Sequence, residues 1–197
     1  MSAIAITGLI GSGKSYVSDV MEKKGAHVIK ADSVVKSLQK SGSKLFGEIV
    51  ETWGENLLDS SGEIHRKYLA NIVFNNPAEL QKLEKITHPK VRQVILDELN
   101  LMEETSIVLI ELPLLKQNDI YLDFLDAVIL VKSSYEARLE RLIKYRNFKR
   151  ADAVARLNQQ LANSERIGTA DFVIDNDSTL AELEVNIDLC WEWIQSI

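Results

Sequence analysis

Gly8-Leu9-Ile10-Gly11-Ser12-Gly13-Lys14-Ser15 decides the reading of this chain. It satisfies the pattern G-x-x-x-x-G-K-[ST] at every fixed position. An apolar run, Ala3-Ile4-Ala5-Ile6-Thr7, precedes it and reads as a buried parallel strand. Lys14 to Lys24 follows with helical spacing, Val17, Val20 and Met21 sharing one side and Gly25 as a stop. Val28-Ile29 centres a second strand that ends near Asp32. Strand, glycine turn, helix and strand make a βαβ unit, the setting in which such a loop grips phosphate. Gly8, Gly11 and Gly13 let backbone N–H groups turn inward with no Cβ in the way. The helix start aims its positive end at the same anion. Lys14 is expected to reach the β- and γ-phosphates, and the Ser15 hydroxyl to ligate Mg²⁺. Ser12 and Tyr16 complete the expected nucleotide-binding stretch.

A dinucleotide-binding loop competes, since Gly11-x-Gly13 begins such a motif and Asp32 lies about 20 residues on. Tyr16 occupies the third glycine position of that motif, and Lys14-Ser15 has no role in it.

Outward from this unit, 33–104 is mostly helical in pattern. Val34, Val35 and Leu38 form one stripe, and Leu45, Ile49 and Val50 another. Asp59-Ser60-Ser61-Gly62 marks a turn, and Asn76-Pro77 starts a helix. His88-Pro89 is expected to break the pattern before Val91, Val94, Ile95 and Leu99. Strands follow at Ile107–Leu112, Ala127–Val131 and Phe172–Ile174, with helices at Tyr135–Arg146, Ala151–Leu161 and Thr179–Ile194. Alternating strands and helices imply a three-layer α/β/α fold on a five-stranded parallel sheet, the P-loop NTPase fold. The expected organisation is one P-loop domain over 1–197. Its core is about 1–32, 105–135 and 165–197, with an inserted helical lobe at about 33–104 and a further helical segment at about 136–164.

The chain of 197 residues is 46% hydrophobic and 26% charged, ordinary for a globular protein with a sizeable core. Cys190 is the only cysteine, so no internal disulfide can form. No apolar run is long enough to span a bilayer, and no basic stretch precedes an apolar one at the start. A cytoplasmic protein without a membrane partner is expected, a monomer or a weak homo-oligomer. A net charge of −6 argues against a general nucleic-acid binder. The charge is uneven: seven bases face two acids between Arg138 and Arg156, while seven acids and no base lie from Ala170 onward. That contrast fits either a confined anion site or a solvated helix face.

Several side chains could act beside the loop. Asp32 follows the second strand, at the end where ligands sit in parallel α/β sheets. It could accept a hydrogen bond from an attacking hydroxyl, or cap the helix beginning near Ser33. Glu111, late in the third strand, could hold Mg²⁺ or pair with a base. Arg141 and Arg146 could each clamp a transferring phosphoryl group or serve the surface, with Arg138 a further candidate. His27, His65 and His88 show no metal-ligand spacing. Trp53, Trp191 and Trp193 read as packing residues.

The loop, read with motifs elsewhere, resembles the dephospho-CoA kinases. Ala31-Asp32 is similar to the family's Asp-Ala-Asp, and Gly62-Glu63-x-x-Arg66 with Val73-Phe74 to its helical-lobe signature. His88-Pro89, Pro113-Leu114-Leu115 and Ala170-Asp171-Phe172-Val173-Ile174-Asp175-Asn176 also match. The resemblance covers nearly the whole chain in order. It implies transfer of the ATP γ-phosphate to the 3′-hydroxyl of dephospho-CoA with Mg²⁺, the last step of coenzyme A synthesis. By the same resemblance Asp32 is the proposed catalytic acid, the helical insertion holds the CoA precursor, and the basic segment closes over ATP. Lys30, Leu9, Lys116-Gln117 and the Arg141-to-Arg146 spacing depart from the family pattern.

Other functions remain open at this point. Another P-loop kinase, such as a nucleoside monophosphate kinase, would differ in the inserted lobe. A GTPase switch would carry Asn-Lys-x-Asp, which is absent from the sequence. A pure nucleotide-binding module would share the loop.

Overall fold

The computed structural model describes residues 1–74, 76–113, 115, 120–161 and 170–197. Leu114, Lys116 and Gln117 lie outside the described residues, as do the last residues of the helical segment expected at about 136–164 and the start of the final core segment.

Five strands form one parallel sheet: β1 (Ser2–Thr7), β2 (His27–Lys30), β3 (Ile107–Glu111), β4 (Ala127–Lys132) and β5 (Phe172–Asp175). Their spatial order is β2-β3-β1-β4-β5. The fold is the expected three-layer α/β architecture. β1 occupies the centre because its residues 3 to 7 are all buried, which suits a strand covered on both faces. β3 and β4 flank it on opposite sides, so the strand order reverses at β1. In open α/β sheets that reversal leaves a crevice at the carboxyl ends of the strands.

The chain divides into two compact units, Met1–Lys30 with Met102–Ile197, and Ala31–Leu101. In the first unit, α1 (Lys14–Lys23) and α8 (Leu180–Ile194) cover one core. Ile4, Ile6, Leu109 and Ile129 from the sheet meet Val17, Met21, Leu183 and Ile187 there. Each such buried aliphatic side chain contributes about 1.5–3 kcal/mol relative to an exposed one. The start of α8 is fixed by a capping box: Thr179 Oγ1 accepts from Glu182 N, and the Glu182 carboxylate accepts from Thr179 N. A second cluster joins α6 (Tyr135–Arg146) to α7 (Arg150–Leu161) through Leu139, Leu142, Ala153 and Leu157. Ser134 caps α6, and Asn147 ends it at φ 53°.

The second unit is helical: α2 (Ala31–Leu38), α3 (Lys44–Trp53), α4 (Arg66–Phe74) and α5 (Pro77–Leu99). Leu45, Ile49, Leu57, Leu69 and Val73 form its core. The turn at Asp59 closes as expected, with the Asp59 carboxylate accepting from Ser61 N and Glu63 N. Asn76 caps α5, and Pro77 is its first residue. The expected break at His88-Pro89 does not occur, since α5 runs through Pro89 over 23 residues. Thr87, Val91, Ile95 and Leu99 keep one buried stripe on both sides of the proline, and α5 packs on α2, α3 and α4. That burial outweighs the roughly 3 kcal/mol a proline costs inside a helix. Among the described residues no helix is long and apolar enough to cross a membrane.

Candidate active site

The loop leaves the carboxyl end of β1, and its path depends on backbone that only glycine takes easily. Gly11 has φ 79° and Gly13 φ 100°. Space is short as well. A Cβ on Gly13 would lie 2.3 Å from Asn176 Nδ2, and one on Gly11 3.0 Å from Arg138 O. Gly8 is confined in the same way against Val131 O. Gly13 also begins α1, and no side chain caps that helix. Its first amides face the loop, where an anion is the fitting partner.

A ring of side chains holds the loop from behind. The buried Asn176 donates from Nδ2 to Ser12 O at 2.7 Å. Arg141 Nη2 donates to Asn176 O at 2.7 Å and Oδ1 at 3.1 Å. Its Nη1 reaches Ser133 Oγ at 2.8 Å and Gly11 O at 3.4 Å. Ser133 Oγ in turn donates to Asp177 Oδ1, which also accepts from Ser134 N. Those bonds hold the Asp177 carboxyl below its ordinary value, the Ser134 amide contributing most. Gln160, on α7, accepts from Ile10 N at 2.6 Å. Arg138 is 2% exposed, its backbone lying against Gly11 and its Nε donating to Ser134 O at 3.3 Å. Burial lowers the pKa of that guanidinium.

On the crevice side Lys14 Nζ donates to Gly8 O at 2.6 Å, folding back over the loop. Ser15 Oγ donates to Glu111 Oε1 at 2.8 Å. Glu111 Oε2 and Ser12 Oγ are buried and have no hydrogen-bond partner among the described residues. An orphaned carboxylate oxygen beside a hydroxyl fits a hard cation such as Mg²⁺, which prefers oxygen donors. Among the described residues no group of three His, Cys, Asp or Glu could hold a metal. This pair therefore suits a cation that takes its other oxygens from water and phosphate. Beside it Lys30, at the end of β2, donates to Asp19 Oδ1 at 2.6 Å. The Asp19 carboxylate raises the Lys30 pKa, against the opposing effect of desolvation.

The other expected residues are placed as follows. Tyr16 turns its exposed hydroxyl to Glu184 Oε1 on α8, at 2.9 Å, and that bond raises the phenol pKa. Asp32 is exposed and belongs to the helical unit. It is the second residue of α2, so it does not cap the helix, and its charge suits the first turn. Arg146 is exposed at the last position of α6, whereas Arg141, on the same helix, donates to Gly11 O of the loop. Sequence reasoning assigned no role to Asn176, Ser133, Asp177 or Gln160. Asn176 directly follows a strand end and closes the Ala170-to-Asn176 motif, the two signals the sequence offered.

A parallel sheet with a glycine loop at its switch point and a Lys14–Ser15–Glu111 constellation defines a P-loop kinase fold, a class of ATP-dependent phosphotransferases. The chain belongs to the dephospho-CoA kinase family, which matches residues 2–182. It is 35% identical to a dephospho-CoA kinase of Aquifex aeolicus over 192 residues, covering 98% of this chain and 97% of that one. It is 38% identical to that of Fusobacterium nucleatum over 191 residues, 97% of each. The solved dephospho-CoA kinase of Campylobacter jejuni superimposes with a TM-score of 0.72 at 28% identity, covering 98% of this chain and 97% of that one.

Proposed function

We propose that this chain transfers the γ-phosphoryl group of ATP to the 3′-hydroxyl of dephospho-CoA, giving coenzyme A and ADP. The acceptor oxygen forms a bond to the γ-phosphorus, and the bond from that phosphorus to the β,γ-bridging oxygen breaks. The acceptor proton passes to Asp32 or onward to water. The transition state is loose, so positioning and charge carry most of the rate.

Membership of the family along nearly the whole chain supports the substrate pair. One observation carries the chemistry: Lys14 and the Ser15–Glu111 pair stand together at the carboxyl end of the central strands. In this reading Gly8, Gly11, Ser12, Gly13, Lys14, Ser15 and Tyr16 form the nucleotide stretch, backbone amides wrapping the phosphates. Lys14 bridges the β- and γ-phosphates. Ser15 and Glu111 would hold Mg²⁺, which when bound would neutralise charge on the transferred group. Asp32 orients the acceptor hydroxyl. Arg141, already committed to Asn176, Ser133 and Gly11 O, keeps the cradle rigid, and Arg146 approaches the γ-phosphate from α6. The helical unit receives dephospho-CoA, and α6 with α7 covers the nucleotide. A cytoplasmic monomer or weak homo-oligomer, with neither nucleic acid nor membrane as partner, fits this role.

The purified protein with Mg-ATP should convert dephospho-CoA to coenzyme A, read by mass spectrometry as one added phosphoryl group, and leave nucleoside monophosphates unchanged. Phosphorylation of the monophosphates alone would overturn the acceptor. Lys14→Met should abolish turnover with the fold retained. Asp32→Asn should lower kcat about 10²- to 10⁴-fold if that carboxylate takes part in proton transfer.

A further inference from the structure

Lys30 stands opposite Glu111 in the β2–β3 register, on strands whose backbones lie about 4.8 Å apart. Both side chains turn to the same helix. Glu111 accepts from Ser15 and Lys30 donates to Asp19, and these two residues are one turn apart on α1. The result is a four-residue array at the end of the sheet: the Ser15 hydroxyl on Glu111, and Lys30 paired with Asp19. A lysine is thus held at the strand position facing Glu111, a half-buried carboxylate whose second oxygen is buried and has no partner among the described residues. Asp19 holds it at 2.6 Å.

We propose that Lys30 is a positioning residue that sets the affinity of the Ser15–Glu111 site for a divalent cation. The inference rests on the reading of Ser15 and Glu111 as cation ligands. Two opposed effects follow from one charge. Lys30 compensates Glu111, so a buried carboxylate is tolerated there without a cation. The same ammonium repels a doubly charged ion entering the site, so binding is weaker than two oxygen ligands alone would give. Asp19 limits the repulsion by keeping Lys30 in an ion pair. Lys30 and Asp19 are both partly exposed, so the interaction is screened and salt-dependent.

The test is calorimetric titration of Mg²⁺ into the full chain saturated with ADP, at low salt and again in 0.5 M salt. At low salt Lys30→Gln should tighten Mg²⁺ binding about three- to tenfold, the size expected for a screened charge at this range. The gain should shrink toward unity in high salt, and Lys30→Arg should match the wild type. Unchanged or weaker binding by Lys30→Gln would overturn the proposal, weaker binding meaning that Lys30 serves the phosphates instead. A gain that survives high salt would overturn the electrostatic cause. Glu111→Gln separates the two layers. If it leaves Mg²⁺ binding unaltered, the cation-site reading itself fails. If it weakens binding while Lys30→Gln changes nothing, only the role of Lys30 is lost.

Discussion

The side-chain amide of Asn176 donates to the carbonyl of Ser12 at 2.7 Å, tying the end of β5 to the phosphate loop at the end of β1. Asn176 is buried, and its own carbonyl groups are taken by Arg141. The loop's shape therefore depends on a strand that contributes nothing to its motif. Asn176→Ala should leave Ser12 O without this donor and free part of the Arg141 fork. We expect a loss of about 1–3 kcal/mol of stability and weaker Mg-ATP binding, measured by denaturant unfolding and calorimetry.

Gly13→Ala tests the same contact from the loop side. Its φ of 100° disfavours any Cβ, and the added atom would press on Asn176 Nδ2. The left-handed backbone alone costs about 1–2 kcal/mol. Combining Gly13→Ala with Asn176→Ala removes the clash but not the backbone strain. The double variant should therefore lose less stability than the sum of the two singles, by about 0.5 kcal/mol or more in a double-mutant cycle.

Asp177 makes stability depend on acid. Its folded-state pKa is depressed, so its contribution is present above the unfolded carboxyl value and disappears as pH falls through the folded one. The melting temperature of Asp177→Asn should lie below that of the wild type at pH 7. The gap should close below about pH 4, where the unfolded carboxyl takes up its proton. A gap of constant size down to pH 2 would contradict this assignment.

Thr179→Ala removes half of the capping box of α8. The expected cost is about 1 kcal/mol, or about 2–4 °C in melting temperature, with kcat unchanged. Thr179 makes none of the loop contacts described above, so a fall in kcat larger than twofold would mean that α8 couples to the site through Asn176 and Asp177, its near neighbours in the chain.

Cys190 is fully buried on α8, and burial pushes its thiol up to about 12. Thiolate is the reactive form, so the native protein should resist a thiol reagent at pH 8. Release of one reactive thiol should track unfolding measured by circular dichroism.

The loop and its strand and helix could be read in advance because their causes are local. Period-two and continuous apolar runs, glycine where φ is positive, and lysine with serine at a helix start all act within about 20 residues of chain. The long helical stretch between β2 and β3 was legible for the same reason. Asp32 was not: strand and helix meet at Lys30 and Ala31 with no linking residue, so its place inside α2 follows from where the sheet ends.

Tertiary contacts alone decided the rest. Ser12 and Asn176 are 164 positions apart, and nothing in either neighbourhood names the other. Glu111 meets Ser15, and Lys30 faces Glu111, because parallel pairing sets a register that local pattern cannot show. Pro89 stays inside α5 because its helix buries one face on its neighbours, an energy that outweighs the residue's own preference. Short-range preferences chose the loop's chemistry here; distant packing chose which side chains stiffen it and which charge faces Glu111.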